Sequence, residues 1–125
     1  NPSVANEDEV VPYCLAADFV LEWNADFKNE EGLVVVAEYN GKTAIPAKAI
    51  NMHITNTLNI EQDNGRIVLD NDIWKDMPDT AFVTLTILRG NVKIEEINEE
   101  NYKFYALAQA VLPFVLIKDI NTIEQ

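Results

Sequence analysis

Residues 83–91 read VTLTILRGN, and this stretch decides the fold class. Val83, Leu85 and Ile87 alternate with Thr84, Thr86 and Leu88, a period of two that turns one apolar face toward a core. Arg89-Gly90-Asn91 then supplies the turn chemistry that ends a strand.

Upstream, LVVVAEY (33–39) is β-branched and apolar on both faces, the composition of a central strand. Before it, Phe19, Leu21 and Trp23 alternate with Asp18, Val20, Glu22 and Asn24, which predicts a one-sided strand with Trp23 in the core. Asn40-Gly41 predicts a type I′ hairpin turn, because both central positions of that turn need positive φ. KTAIPAK would be the return strand, limited to an edge by Pro46. Ile50, Met52 and Ile54 alternate with Asn51, His53 and Thr55 as a further strand. Asp63-Asn64-Gly65 predicts a second hairpin, with RIVL returning. DNDIWKDMPD (70–79) reads as a crossing segment with one helical turn. Downstream, VKIEEI is a weaker strand, NEEN a turn, and YKFYALAQAVLPFVLIK a long last segment bent or broken at Pro113. The helix formers of ALAQA make 105–112 the one place where a helix competes with strand. Together these give an all-β chain of about seven or eight short strands with turns every ~8–12 residues, the pattern of a sandwich.

The chain has 125 residues, the size of one domain, so residues 1–12 are expected to form a polar disordered lead and 13–125 a single β-sandwich. Twenty-one acidic residues against nine basic ones leave a net charge of −12, which repels a phosphate backbone and an anionic membrane surface alike. The longest apolar run, Tyr102 to Ile117, is too short to span a bilayer and carries Lys103, Gln109 and Pro113. Cys14 is the only cysteine, so no internal disulfide forms. The opening NPSVANEDEVVP lacks the apolar segment of a signal peptide and reads as a mature or trimmed start.

Two stretches carry a family resemblance. FVLEWN (19–24), a loop, then LVVVAEY resembles the early strands of fibronectin type III and related immunoglobulin-like domains. Residues 73–91, in which MPDTAF leads into VTLTILRGN, are similar to the proline-started penultimate strand of the same domains. The wider wording looks like immunoglobulin-like domains of secreted lipoproteins from Gram-negative bacteria. That resemblance implies an immunoglobulin-like (fibronectin type III-like) β-sandwich without catalytic residues. It further implies an extracytoplasmic setting, at the cell surface or in the periplasm, as part of an outer-membrane lipoprotein; a lipobox cysteine upstream of Asn1 would settle that compartment. Its partner would be an unidentified protein or polysaccharide at the cell surface. Two departures stand out. Phe82 occupies the place of the tyrosine of the tyrosine corner, and the 34 residues from Val92 to Gln125 exceed the single strand expected there.

The candidate chemistry is sparse. Glu30-Glu31, Glu95-Glu96 and Glu99-Glu100 sit in loops or at strand ends, where adjacent solvated carboxylates do not form an acid/base pair across a cleft. Asp70, Asp72, Asp76 and Asp79 supply oxygen atoms suited to calcium, but Trp74 and Lys75 occupy positions where an EF-hand needs a ligand and a glycine. His53 is the only histidine and Ser3 the only serine, so neither a triad nor a histidine zinc site is expected. The four glycines lie singly, without a phosphate loop. Trp74, flanked by Asp72, Lys75 and Asp76, reads either as a stacking platform or as a plug closing one end of the sandwich, and Trp74 with Asp72 marks the candidate ligand surface. The expectation is a non-catalytic structural or binding module, with no catalytic residue, cofactor or metal. The alternative is a calcium-assisted adhesion or carbohydrate-binding module using the Asp70–Asp79 loop.

Overall fold

A computed structural model describes residues 11–89, 93–98, 101–105 and 108–122. Nine strands occur among them, one or two more than the sequence pattern suggested. They are β1 (Tyr13–Leu15), β2 (Val20–Glu22), β3 (Leu33–Thr43), β4 (Ile54–Ile60), β5 (Arg66–Val68), β6 (Ala81–Arg89), β7 (Lys93–Asn98), β8 (Asn101–Tyr105) and β9 (Ala108–Ile117). The only helical pieces described are 3-10 turns at Pro46–Lys48, Asn71–Trp74 and Ile120–Thr122.

Five strands form one mixed sheet in the order β1-β9-β6-β3-β4. The β9–β6, β6–β3 and β3–β4 pairs are antiparallel, whereas β1 runs parallel to β9, with Tyr13 opposite Val115 and Leu15 opposite Ile117. β2 and β5 make a second, two-stranded antiparallel sheet, and β7 and β8 pair as a hairpin between β6 and β9. The inward side chains of the large sheet are Val83, Leu85 and Ile87 on β6, as its alternation predicts, with Ala81 beside them, and Leu33, Val35, Ala37 and Tyr39 on β3. Leu21 of β2 and Ile67 of β5 face each other across the small sheet and pack on the same cluster. The centre is aromatic. Phe19, Trp74 and Phe114 form a triangle with ring centroids 5.2–5.8 Å apart, near the tilted and edge-on geometry that the ring quadrupole favours.

Several local expectations are overturned. Asn40-Gly41 is not a hairpin turn, because β3 runs through it for 11 residues. The positive φ of Gly41 (95°) instead makes a bulge, and the register against β6 shifts between Tyr39 and Thr43. The expected return strand KTAIPAK is absorbed into the end of β3 and a 3-10 turn that starts at Pro46, where a missing N–H costs nothing. Segment 50–53 is not a strand; β4 begins only at Ile54, and Met52 is exposed. The hydroxyl of Tyr39 holds this segment, donating to the carbonyl of Ile50 and accepting its N–H, both at 3.0 Å.

Asp63-Asn64-Gly65 does not join a hairpin either: β4 pairs with β3 and β5 with β2, so the chain crosses there from one sheet to the other. The described residues of 105–112 form no helix: β8 ends at Tyr105 and β9 runs unbroken from Ala108 through Pro113, while 106–107 lie outside the described residues. Pro113 is tolerated because β1 pairs with β9 only from Val115 onward, which leaves the outer side of Pro113 without a described strand. Phe82 lies on the outer face, as the alternation of its strand requires. Of the expected disordered lead, residues 1–10 lie outside the described residues, and Pro12 already belongs to the fold, its carbonyl accepting from the N–H of Val115 at 2.9 Å.

Candidate functional site

At the end of the large sheet marked by Leu33, Ile60, Arg89 and Ala108, two connections meet: loop 24–32 and the crossing at 61–65. Asp63 sits at their centre with its side chain closed off from solvent. One carboxylate oxygen, Oδ1, accepts from the indole Nε1 of Trp23 at 2.6 Å and from the backbone N–H of Asp26 at 3.1 Å. The other, Oδ2, accepts from Asn29 Nδ2 at 3.0 Å and from Arg89 Nε at 2.7 Å. Burial alone would raise the pKa of this carboxyl; the hydrogen bonds from Arg89, Asn29, Trp23 and the Asp26 amide outweigh it and hold the group well below the usual carboxylate range.

The same network stiffens loop 24–32. Arg89 also donates to the carbonyl of Asn24 at 2.5 Å, and Asn29 Nδ2 to that of Gly32 at 2.7 Å. Asp26 accepts from the N–H of Lys28, and the Asn29 side chain from that of Glu31, two local turns that brace the loop backbone. Gly32 ends the loop at a φ of 74° with the carbonyl of Ile60 pressed against it, so a Cβ there would meet that oxygen. On this braced loop Phe27 stands 82% exposed, the most exposed large apolar side chain described.

A second feature lies on the outer face of the large sheet. Register places Pro113, Thr84, Glu38 and Thr55 in one row across β9, β6, β3 and β4, with Phe82 one step along β6. Val11, Glu38, Asn40, His53, Phe82, Thr84 and Pro113 surround an open groove of about 280 Å³. His53 Nε2 lies 3.4 Å from Glu38 Oε2, and both side chains reach solvent.

The residues singled out from the sequence do not come together. Trp74 is 1% exposed, plugged between the sheets, with its indole N–H buried and without a described hydrogen-bond partner, so it offers no stacking platform. Asp72 remains at the surface, and its backbone N–H is capped by Asp70 at 3.1 Å. The ligand surface sketched on Trp74 and Asp72 is therefore not assembled: the tryptophan is the plug and the aspartate is turn chemistry. Trp23, expected in the core, is only partly buried; it packs on the core and spends its N–H on Asp63. Asp79 is committed to the backbone N–H groups of Lys118 and Asp119 and to Lys48 Nζ at 2.6 Å. Among the described residues no three His, Cys, Asp or Glu side chains are grouped to hold a metal ion. Cys14 is half-buried and its thiol pKa is pushed up by burial, the opposite of an activated nucleophile.

Sequence reasoning missed Asp63, treating it as the first residue of a turn. The available signal was a tryptophan just past one strand and an arginine at the end of another, each with a polar group to satisfy if half-buried, and a distant aspartate opening an Asp-Asn-Gly turn. No family model, curated protein or solved structure matches the chain.

Proposed function

We propose that this chain is a non-catalytic binding module with an immunoglobulin-like sandwich fold, carried on an exported protein outside the cytoplasm. The fold reading is supported by strand order: β4-β3-β6-β9 corresponds to a C′-C-F-G sheet and β2-β5 to the B–E pair of its partner. The hairpin β7–β8 would then be an insertion between the last two strands, which accounts for the surplus length after Val92.

The observation that carries the functional reading is Phe27 on its braced loop. An exposed aromatic ring held on a pre-organised backbone loses little entropy on docking and is the kind of residue that anchors protein interfaces. Asp26, Glu30 and Glu31 surround it with negative charge only partly offset by Lys28, so the partner is a surface protein with an apolar pocket rimmed by basic side chains. The test uses the chain with a photo-reactive benzoylphenylalanine at position 27, irradiated with envelope extract of its source cells. Excess unlabelled chain should abolish a discrete adduct, and the Phe27→Ala chain, equally folded, should compete at least tenfold less well. Equal competition by Phe27→Ala would remove this loop from the function.

The exported setting rests on the resemblance of residues 18–91 to secreted lipoprotein domains. The coding sequence upstream of Asn1 tests it. A signal segment ending in a lipid-modified cysteine supports the reading, and a continuous cytosolic domain there contradicts it.

A further inference from the structure

The outer-face groove points to a second binding site, roughly 17 Å along the strands from the Leu33 row where the Phe27 loop is rooted. We infer that it accepts one neutral sugar unit of a glycan, stacked on Phe82 and hydrogen-bonded by Glu38, Asn40, His53 and Thr84. Three observations select this ligand class.

The first is the two-sided chemistry of the lining. Phe82, Pro113 and Val11 make an apolar patch on the β9–β6 side, while Glu38, Asn40, His53 and Thr84 bring acceptors and donors from the β3–β4 side. A pyranose ring has the matching division, with a C–H face that stacks on an aromatic ring and a rim of hydroxyls that both donate and accept. Phe82 is 38% exposed on a strand whose alternate residues are buried, so its ring is held at a defined place and still reached from solvent.

The second is size. At about 280 Å³ the groove lies just below the usual range of ligand pockets and is large enough to seat one pyranose ring. The third is charge. A net −12 and a carboxylate in the groove repel phosphorylated, sulfated or uronic-acid ligands. The proximity of His53 to Glu38 occupies that carboxylate in part, which favours a neutral guest over a cationic one.

The inference does not rest on the Phe27 reading, and its test keeps the two apart. The uniformly 15N-labelled chain is titrated with methyl β-D-glucoside, methyl β-D-galactoside, methyl α-D-mannoside and N-acetylglucosamine. Glucuronic acid and lysine methyl ester serve as charged controls. The expected result is saturable shifts of amides at 38–40, 53 and 82–84 with at least one neutral sugar in the millimolar range, unchanged in Phe27→Ala. Phe82→Ala, with its fold confirmed by amide shifts away from the groove that match the parent, should weaken that binding at least tenfold, and Glu38→Gln several-fold. Saturation by lysine methyl ester alone would make the groove a cation site and overturn the inference. No saturable response to any neutral sugar at 100 mM would also overturn it, as would binding that survives Phe82→Ala.

Discussion

The carboxylate of Asp63 is the most heavily used polar group described in this molecule. A buried charge is costly unless its lone pairs are filled, and here Trp23, Asp26 and Asn29 from one connection and Arg89 from the end of β6 fill them. Replacing it by asparagine keeps the shape but sets an amide against donors, leaving Arg89 without its counter-charge. Arg89 retains contact with water, so the loss at neutral pH should lie near the low end of the range for broken buried pairs, about 3 kcal/mol. Because the folded-state pKa lies below the unfolded value near ~4, the contribution is whole above that pH. It is lost as pH falls from there down through the folded value. Urea unfolding at pH 7 and at successively lower pH should therefore show the parent losing stability in acid more steeply than Asp63→Asn. Parallel losses would mean that this carboxylate is not the group that acid attacks.

The two tryptophans show at the same scale why side-chain roles are hard to read from a string. Trp23 sits on a clean alternating strand and Trp74 among charged neighbours, yet Trp74 is the buried one. Its segment crosses between the sheets as a single 3-10 turn, too short for periodicity to reveal an inward face. A hydrophobic side chain on a crossing segment is placed by the cavity it meets, not by its sequence neighbours.

Elements were legible in proportion to their periodicity. β6 lies where alternation put it, with Val83, Leu85 and Ile87 inward. β2 falls within its alternating stretch with Leu21 inward, and β3 follows its β-branched composition but runs past the expected turn to Thr43. What the chain does between strands was less legible, because Asn-Gly and Asn-Gly-like signals encode a positive φ and not the structure that uses it. At Gly41 that backbone makes a bulge, letting β3 continue to Thr43, where the hydroxyl donates to the carbonyl of Ile45 at 2.5 Å. The space around Gly41 is open, so a side chain there meets strain from backbone conformation alone. Gly41→Ala should cost about 1–2 kcal/mol, and Gly41→Asn less, because asparagine tolerates left-handed backbone. Denaturant midpoints of the two variants check this. An alanine variant as stable as the parent would mean that β3 does not keep the bulged path.

At the scale of the whole molecule, sheet membership was the part that no local pattern carried. The parallel β1–β9 pair joins residues about a hundred positions apart, and the segment 61–65 passes between sheets without closing a hairpin. Both follow from covering the inner face of a five-stranded sheet with a two-stranded one and an aromatic plug, which is a requirement of the assembled core. The candidate site depends on that assembly. Asp63 meets Trp23, Asn29 and Arg89 only because the crossing brings it over the end of β6. The central claim is that this buried carboxylate holds loop 24–32 in the form that presents Phe27. Backbone 15N relaxation of residues 24–32, in the parent and in Asp63→Asn, tests it most directly. The account predicts order parameters near ~0.85 in the parent, equal to those of β3, falling below ~0.6 around Phe27 in the variant while β3 and β6 stay rigid. A loop already mobile in the parent, or one that stays rigid without the carboxylate, would contradict it.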